Sequence, residues 1–132
     1  MISEFFFQIA GLKKLPRSGW KIKLGLDDSE SVAEHSYMMS VMSMVLADMK
    51  SLNSEKVIKM SILHDWAESK IGDITPEQMT AENKMKIENK AFAEIINQLP
   101  ETIKSQYHEI WKEYQNNSSK ESLFVHQIDK LE

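Results

Sequence analysis

The sequence contains no cysteine among its 132 residues. Disulfide bonds and thiolate metal sites are therefore excluded, and any bound metal ion must be held by nitrogen and oxygen ligands. A chain without disulfides fits the reducing environment of the cytoplasm, and we expect the protein to act there.

Glycine and proline are also scarce, with 4 and 3 residues, whereas methionine occurs 9 times. Because glycine and proline disfavour helices and unbranched side chains suit them, this composition favours helix. No segment alternates convincingly between apolar and polar residues, and the polar breaks between segments are short. We therefore predict an all-α fold, a compact bundle of about five to six helices.

Long apolar runs and a strong net charge are missing as well. No run approaches the roughly 20 residues that a membrane span needs, and the apolar patch near the start has no basic segment before it, unlike a signal peptide. The net charge of -4 predicts no general attraction to nucleic-acid polymers or anionic membranes. A small phosphorylated substrate stays open, because local basic groups decide that contact.

Several helix ends are visible in the sequence. Ser31 and Glu34 match a capping box that opens a helix of about 31–49. A second N-cap at 53–54 opens a helix of about 55–70, which Gly72 ends. Further helices are predicted at about 2–12, 81–98 and 101–115 and from Lys120 onwards. Residues 75–78 are an alternative start of the helix of about 81–98.

The stretch from His64 to Glu68 is the strongest chemical signal. On a helix, residues three and four apart share a face, so Glu68 would lie on the same side as His64 and Asp65. The apolar neighbours Ile62 and Leu63 leave little solvent-facing surface. Burying an imidazole and two carboxylates is costly unless they are paired or bind a cation. A divalent metal ion accounts for all three, although a His-Asp dipeptide alone is more often ordinary helix surface.

Two further residues are candidate ligands of the same ion. His35 lies just inside the capped start of the preceding helix, at a separation that lets antiparallel neighbours meet. Asp129 lies on the last predicted helix, where His126, three residues away, competes with it as a ligand. Judged alone, His35 is a packed histidine and Asp129 an ordinary carboxylate near a chain end. His108 stands among polar residues and is expected to be exposed.

In this order, the four residues resemble the HD-domain superfamily of metal-dependent phosphohydrolases, whose pattern is a His, a later His-Asp pair and a distant Asp. The resemblance runs from Arg17 to Glu132 and implies an HD-domain helical bundle. The stretches 16–20, 30–36 and 64–76 are similar to the 5′-deoxynucleotidase branch. That branch removes the phosphate from deoxynucleoside 5′-monophosphates, so the implied substrate is a small nucleotide.

The resemblance also implies a role for each matching residue. One divalent metal ion would be held by His35, His64, Asp65 and Asp129, and this ligand set does not distinguish Mn, Co, Fe, Zn and Ni. Glu68 would be the acid/base group, and Arg17 would hold the substrate phosphate and stabilise its charge during the reaction. Trp20 would flank the sugar, and Asp73 would contact the sugar hydroxyl or shape the pocket. Alternatively, Trp20 is a core aromatic residue and Asp73 a turn residue.

The resemblance implies a single HD domain over residues 1–132. Relatives usually continue through further helices after the last Asp, whereas this sequence stops at Glu132, so we expect the family's C-terminal helices to be missing or the site to be completed by a partner chain. Relatives are often dimers, and the Met-rich helix of about 31–49 is a candidate homodimer contact. Two other functions stay open: hydrolysis of another phosphorylated small molecule, and a non-catalytic helical interaction module.

Overall fold

The computed structural model describes residues 2–17, 30–72 and 80–131, and these residues are almost entirely helical. Within these ranges there is no strand, only an isolated bridge between Pro16 and Ser31. Six α-helices have nine or more residues, so the predicted all-α class with five to six helices is confirmed. In chain order the elements are α1 (Ile2–Ala10), a 3-10 helix (Gly11–Lys14), α2 (Val32–Met49), α3 (Ser54–Leu63), the four-residue α4 (Glu68–Ile71), α5 (Ala81–Ile96), α6 (Glu101–Asn116) and α7 (Lys120–Leu131).

The helices begin where side chains satisfy backbone N–H groups that have no partner within the helix. The predicted capping box of α2 is confirmed: the Ser31 hydroxyl accepts from the Glu34 N–H at 3.0 Å, and the Glu34 carboxylate accepts from the Ser31 N–H at 2.9 Å. The Thr80 hydroxyl caps α5, which confirms the later of its two predicted starts. The earlier start, at 75–78, lies outside the described residues. Gly72 follows α4 with a φ of +79°, a conformation that glycine adopts without strain.

The predicted continuous helix of 55–70 is wrong at its centre, because α3 ends at Leu63 and α4 begins at Glu68. Between them the backbone hydrogen bonds reach back three residues, as in the bond from the Trp66 N–H to the Leu63 carbonyl at 3.1 Å. The Ser61 carbonyl accepts instead from the ring Nδ1 of His64, at 2.6 Å. A side chain has thus taken a helical acceptor, a competition that apolar periodicity does not reveal.

Aromatic rings form a continuous column through the core. Phe92 on α5 stacks on Trp111 of α6 with ring centroids 4.2 Å apart and planes 7° apart. Next to Trp111, Tyr114 meets the ring of His64 edge-on at 5.7 Å. At the other end of the column, Trp66 stacks on Phe92 at 6.2 Å. The largest buried side chains therefore support the turn that carries His64.

The methionines of α2 divide between the core and the surface. Met39 is fully buried and Met42 packs against the core, whereas Met38, Met44 and Met49 are exposed. The predicted homodimer contact along this helix stays a prediction, because the structure describes one chain. Among the described residues, no helix combines the length and the apolar character that crossing a bilayer requires.

Replacing Phe92 by Ala should destabilise the fold strongly, because Phe92 is 0% exposed and stacks between two tryptophans. We expect the free energy of unfolding in urea to fall by about 3–5 kcal/mol, the usual cost of such a cavity. The matched control is Phe7→Ala, since Phe7 is 83% exposed, and it should change the same quantity by less than about 0.5 kcal/mol. Equal losses in the two variants would contradict the packing described above.

Candidate metal centre

Three side chains from separate parts of the chain meet at one point. His35 comes from the first turn of α2, His64 from the turn after α3 and Asp129 from the last turn of α7. Nε2 of His35 lies 2.7 Å from Oδ1 of Asp129, and Nε2 of His64 lies 3.5 Å from the same oxygen. One potential ligand atom from each residue lies within 4.8 Å of the others, a spacing suited to a single metal ion.

Asp65 adds a second carboxylate beside this group. Its Oδ2 lies 3.0 Å from Nε2 of His64 and 3.9 Å from Nε2 of His35. The two histidine side chains are each 1% exposed, whereas those of Asp65 and Asp129 are 19% and 33% exposed. The cluster is therefore closed by imidazoles on its inner side and is open to solvent on its carboxylate side.

The ring of His64 is oriented as a metal ligand. Nδ1 lies 2.6 Å from the Ser61 carbonyl and donates its proton there, so in the neutral ring Nε2 carries the lone pair. Nε2 is buried and makes no hydrogen bond of acceptable geometry, although carboxylate oxygens lie near it. A buried lone pair that faces carboxylates is unfavourable unless a proton or a metal cation lies between them. A histidine whose other nitrogen is held by a backbone carbonyl is the usual second-sphere arrangement at metal sites, so these residues fit a divalent ion.

The electrostatics of the cluster point the same way. Burial would lower the pKa of His64, but the nearby carboxylates of Asp65 and Asp129 raise it well above its usual value. Burial would raise the pKa of Asp65, but His64 and a side-chain hydrogen bond with Glu68 bring it down to about 2. The carboxylates thus attract positive charge to this point, and a metal ion that binds Nε2 of His64 must displace the proton that they favour there.

Glu68, the predicted acid/base residue, reaches the cluster although the helix is interrupted. It is the first residue of α4, it is buried, and its side chain shares a hydrogen bond with the carboxyl group of Asp65. Its carboxyl group therefore lies next to the candidate metal ligands, where a proton can be accepted or delivered.

Arg17 lies at the margin of the cluster. Its NH1 forms an ion pair with Oε1 of Glu30 at 2.9 Å, and the same oxygen lies 4.0 Å from Nδ1 of His35. Glu30 has no role predicted from the sequence. The signal that could have identified it is an acidic residue immediately before the capping box that leads to His35. Trp20 and Asp73, the two predicted sugar contacts, lie outside the described residues.

The structure separates Asp129 from its competitor His126. Nε2 of His126 lies 2.8 Å from the backbone carbonyl of Tyr114, and the two rings stack with centroids 4.0 Å apart. His126 is thus engaged by α6, while Asp129, three residues further on, points at His35. His108 is exposed on α6, as expected.

Comparisons with known proteins find relatives that match nearly the whole chain. The family model described as HD domain matches residues 9–132. The mouse 5′-deoxynucleotidase HDDC2 is 39% identical over 129 residues, which cover 96% of this chain and 64% of the relative. The fission yeast 5′-deoxynucleotidase hdd1 is 39% identical over 136 residues, which cover 99% of this chain and 68% of the relative. The chain thus spans slightly less than two thirds of the mouse relative's length.

Solved structures share the fold. A conserved hypothetical protein from Pyrococcus furiosus has a TM-score of 0.82 and 31% identity, covering 97% of this chain and 72% of that one. A protein from Magnetospirillum magnetotacticum, described as a predicted metal-dependent phosphohydrolase, has a TM-score of 0.79 and 26% identity, covering 98% of this chain and 65% of that one. The helical arrangement is therefore one that crystal structures also contain.

Asp129 should be essential for metal binding, and His126 should not. We expect Mn²⁺ or Co²⁺ at a hundredfold excess over its Kd to stabilise the unaltered chain by about 2.7 kcal/mol, measured by thermal unfolding, and a chelator to reverse the effect. Asp129→Ala should lose most of this stabilisation because the oxygen between the two imidazoles is gone. The matched control, His126→Gln, should retain it. The opposite pattern would make His126 the ligand.

Proposed function

Because the chain belongs to the HD-domain family, we propose that it is a metal-dependent phosphomonoesterase that removes the 5′-phosphate from deoxynucleoside 5′-monophosphates. The observation that carries this proposal is the convergence of His35, His64 and Asp129, with Asp65 beside them. The substrate class is supported by the names of the mouse and fission yeast relatives. We also propose that residues 1–132 act as a single HD domain.

The four ligands would be His35, His64, Asp65 and Asp129. His64 would bind through Nε2, because its Nδ1 donates a hydrogen bond to the Ser61 carbonyl. When bound, a divalent cation supplies Lewis-acid activation of water and of the phosphoryl group. Two histidines and two aspartates suit Mn, Co, Fe, Zn and Ni alike, so the assay must test several ions.

Glu68 would move the proton. Its hydrogen bond with the ligand Asp65 fixes its carboxyl group beside the reacting centre. From this position it can accept a proton from the attacking water or deliver one to the leaving 5′-oxygen, provided either atom comes within hydrogen-bond reach. Its burial limits exchange of that proton with bulk solvent.

Arg17 would bind the phosphate. A guanidinium group carries five N–H donors in a planar fork, enough to contact Glu30 and two phosphate oxygens together. The negative charge on those phosphate oxygens would then face the guanidinium of Arg17, on the side away from the metal ligands. Trp20 and Asp73 would contact the deoxyribose and determine the preference against ribose.

A panel of deoxyribonucleoside and ribonucleoside 5′-monophosphates, assayed for phosphate release with several divalent ions, tests the proposed function. We expect release that a chelator abolishes and rates about 10- to 100-fold higher with deoxyribose, the range that a pocket rejecting one hydroxyl can reach. Equal rates on both sugars would favour an HD hydrolase of another phosphorylated compound. No release by protein with stoichiometric metal would favour a non-catalytic module.

Glu68→Gln should separate the chemical step from metal binding. Glutamine keeps the shape of the side chain but does not exchange a proton, so we expect kcat to fall by about 10²- to 10⁴-fold while metal affinity is retained. The matched control is Glu94→Gln, because Glu94 on α5 forms a solvent-exposed ion pair with Lys70 of α4. The kcat of this variant should match that of the unaltered chain. Unchanged turnover in Glu68→Gln would remove this residue from the mechanism.

A further inference from the structure

We propose that Glu30 is a positioning residue that links the phosphate-binding Arg17 to the metal ligand His35. This inference rests on the proposed function, because the roles of Arg17 and His35 belong to it. Glu30 would keep the metal ligands and the phosphate-binding Arg17 at a fixed separation.

A single carboxylate oxygen of Glu30 faces both partners. Oε1 lies 2.9 Å from NH1 of Arg17 and 4.0 Å from Nδ1 of His35. On the other side of the same ring, Nε2 of His35 lies 2.7 Å from Asp129. The imidazole of His35 is therefore placed between two carboxylates, one inside the metal cluster and one that also binds the arginine.

The backbone fixes the same three residues to one another. The Arg17 N–H donates to the Glu30 carbonyl at 3.0 Å, and the Val32 N–H donates to the Leu15 carbonyl at 2.7 Å. These bonds flank the bridge between Pro16 and Ser31. The segment that ends at Arg17 is thus attached to the residues directly before α2, whose first turn carries His35.

Two effects on the site follow from this geometry. At 4.0 Å the Glu30 oxygen is beyond hydrogen-bond distance of Nδ1, so it acts on the His35 ring through its charge, which favours the tautomer with the proton on Nδ1 and leaves Nε2 as the metal-binding nitrogen. A guanidinium that is already held loses less side-chain freedom when phosphate binds. Glu30 should therefore strengthen metal binding through His35 and substrate binding through Arg17, without taking part in the chemical step.

The competing explanation is an ordinary surface ion pair. The side chains of Arg17 and Glu30 are 22% and 27% exposed, and pairs with this exposure often contribute little to stability. Such a pair would leave both metal affinity and substrate binding unchanged when its charge is removed. The two explanations therefore predict different results for one substitution.

Glu30→Gln in the full chain is the test, because it removes the charge and keeps the size of the side chain. We expect the affinity for Co²⁺, followed by its visible absorption, to fall about tenfold, as it does for outer partners of metal ligands. At saturating metal, KM for a deoxynucleoside 5′-monophosphate should rise about tenfold while kcat changes by less than about twofold, since only binding interactions are lost.

Glu34→Gln is the matched control. Glu34 stands four residues further on, is exposed, and closes the capping box of α2. Its substitution should lower Tm through the weaker cap and leave Co²⁺ affinity and KM unchanged. In an Arg17→Ala background, Glu30→Gln should still weaken Co²⁺ binding but no longer raise KM, because the arginine that it orients is absent.

Co²⁺ affinity and KM that both stay within about twofold of the unaltered chain in Glu30→Gln would overturn the inference, whatever happens to Tm. A chain that releases no phosphate from any nucleotide would instead refute the proposed function. In that case the Co²⁺ titration alone decides the role of Glu30, with a tenfold weaker affinity supporting its contact with His35 and an unchanged affinity refuting it.

Discussion

The carboxylate of Asp129 is the contact on which the rest of this molecule depends, because it brings two buried imidazoles to one point. Its Oδ1 lies 2.7 Å from His35 and 3.5 Å from His64, so α7 must dock against both α2 and the turn after α3. The apolar residues Val125 and Ile128 on the same helix supply that docking. Burying ionised groups is unfavourable unless they are paired, so helix packing and the charge pattern of the site must be satisfied together.

The site lies directly above a closely packed part of the core. Tyr114 supports the ring of His64, and Trp111 and Phe92 continue that support through α6 into α5. A fully buried hydrogen bond of 2.9 Å between the Ser61 and Ser43 hydroxyls joins α3 to α2 one turn before His64. Ligands held in this way meet a cation with little reorganisation, which favours binding and any catalysis that depends on fixed geometry.

Acidic and basic side chains alternate in space across the site. Carboxylates and imidazoles alternate from Asp65 and Asp129 through His35, and the series then continues through Glu30 to the guanidinium of Arg17. The His/Asp cluster and Arg17 are thus linked through one side chain. Because Glu30 contacts the arginine and faces the histidine, the few residues before α2 set the separation between the cluster and the guanidinium.

The sequence by itself determined what depends on neighbours along the chain. Scarce glycine and proline, together with caps at Ser31 and Asn53, predict helices and several of their ends, and the His64-Asp65 pair marks the chemistry. The resemblance implied Asp129 as the ligand, but local pattern left His126 as a competitor, and only the tertiary structure separates them, because α6 engages His126. The tertiary structure also interrupted the helix at His64 and placed Glu30 beside Arg17. These outcomes depend on which hydrogen-bond acceptors remain unpaired once distant segments meet, and the local periodicity of the sequence does not predict this.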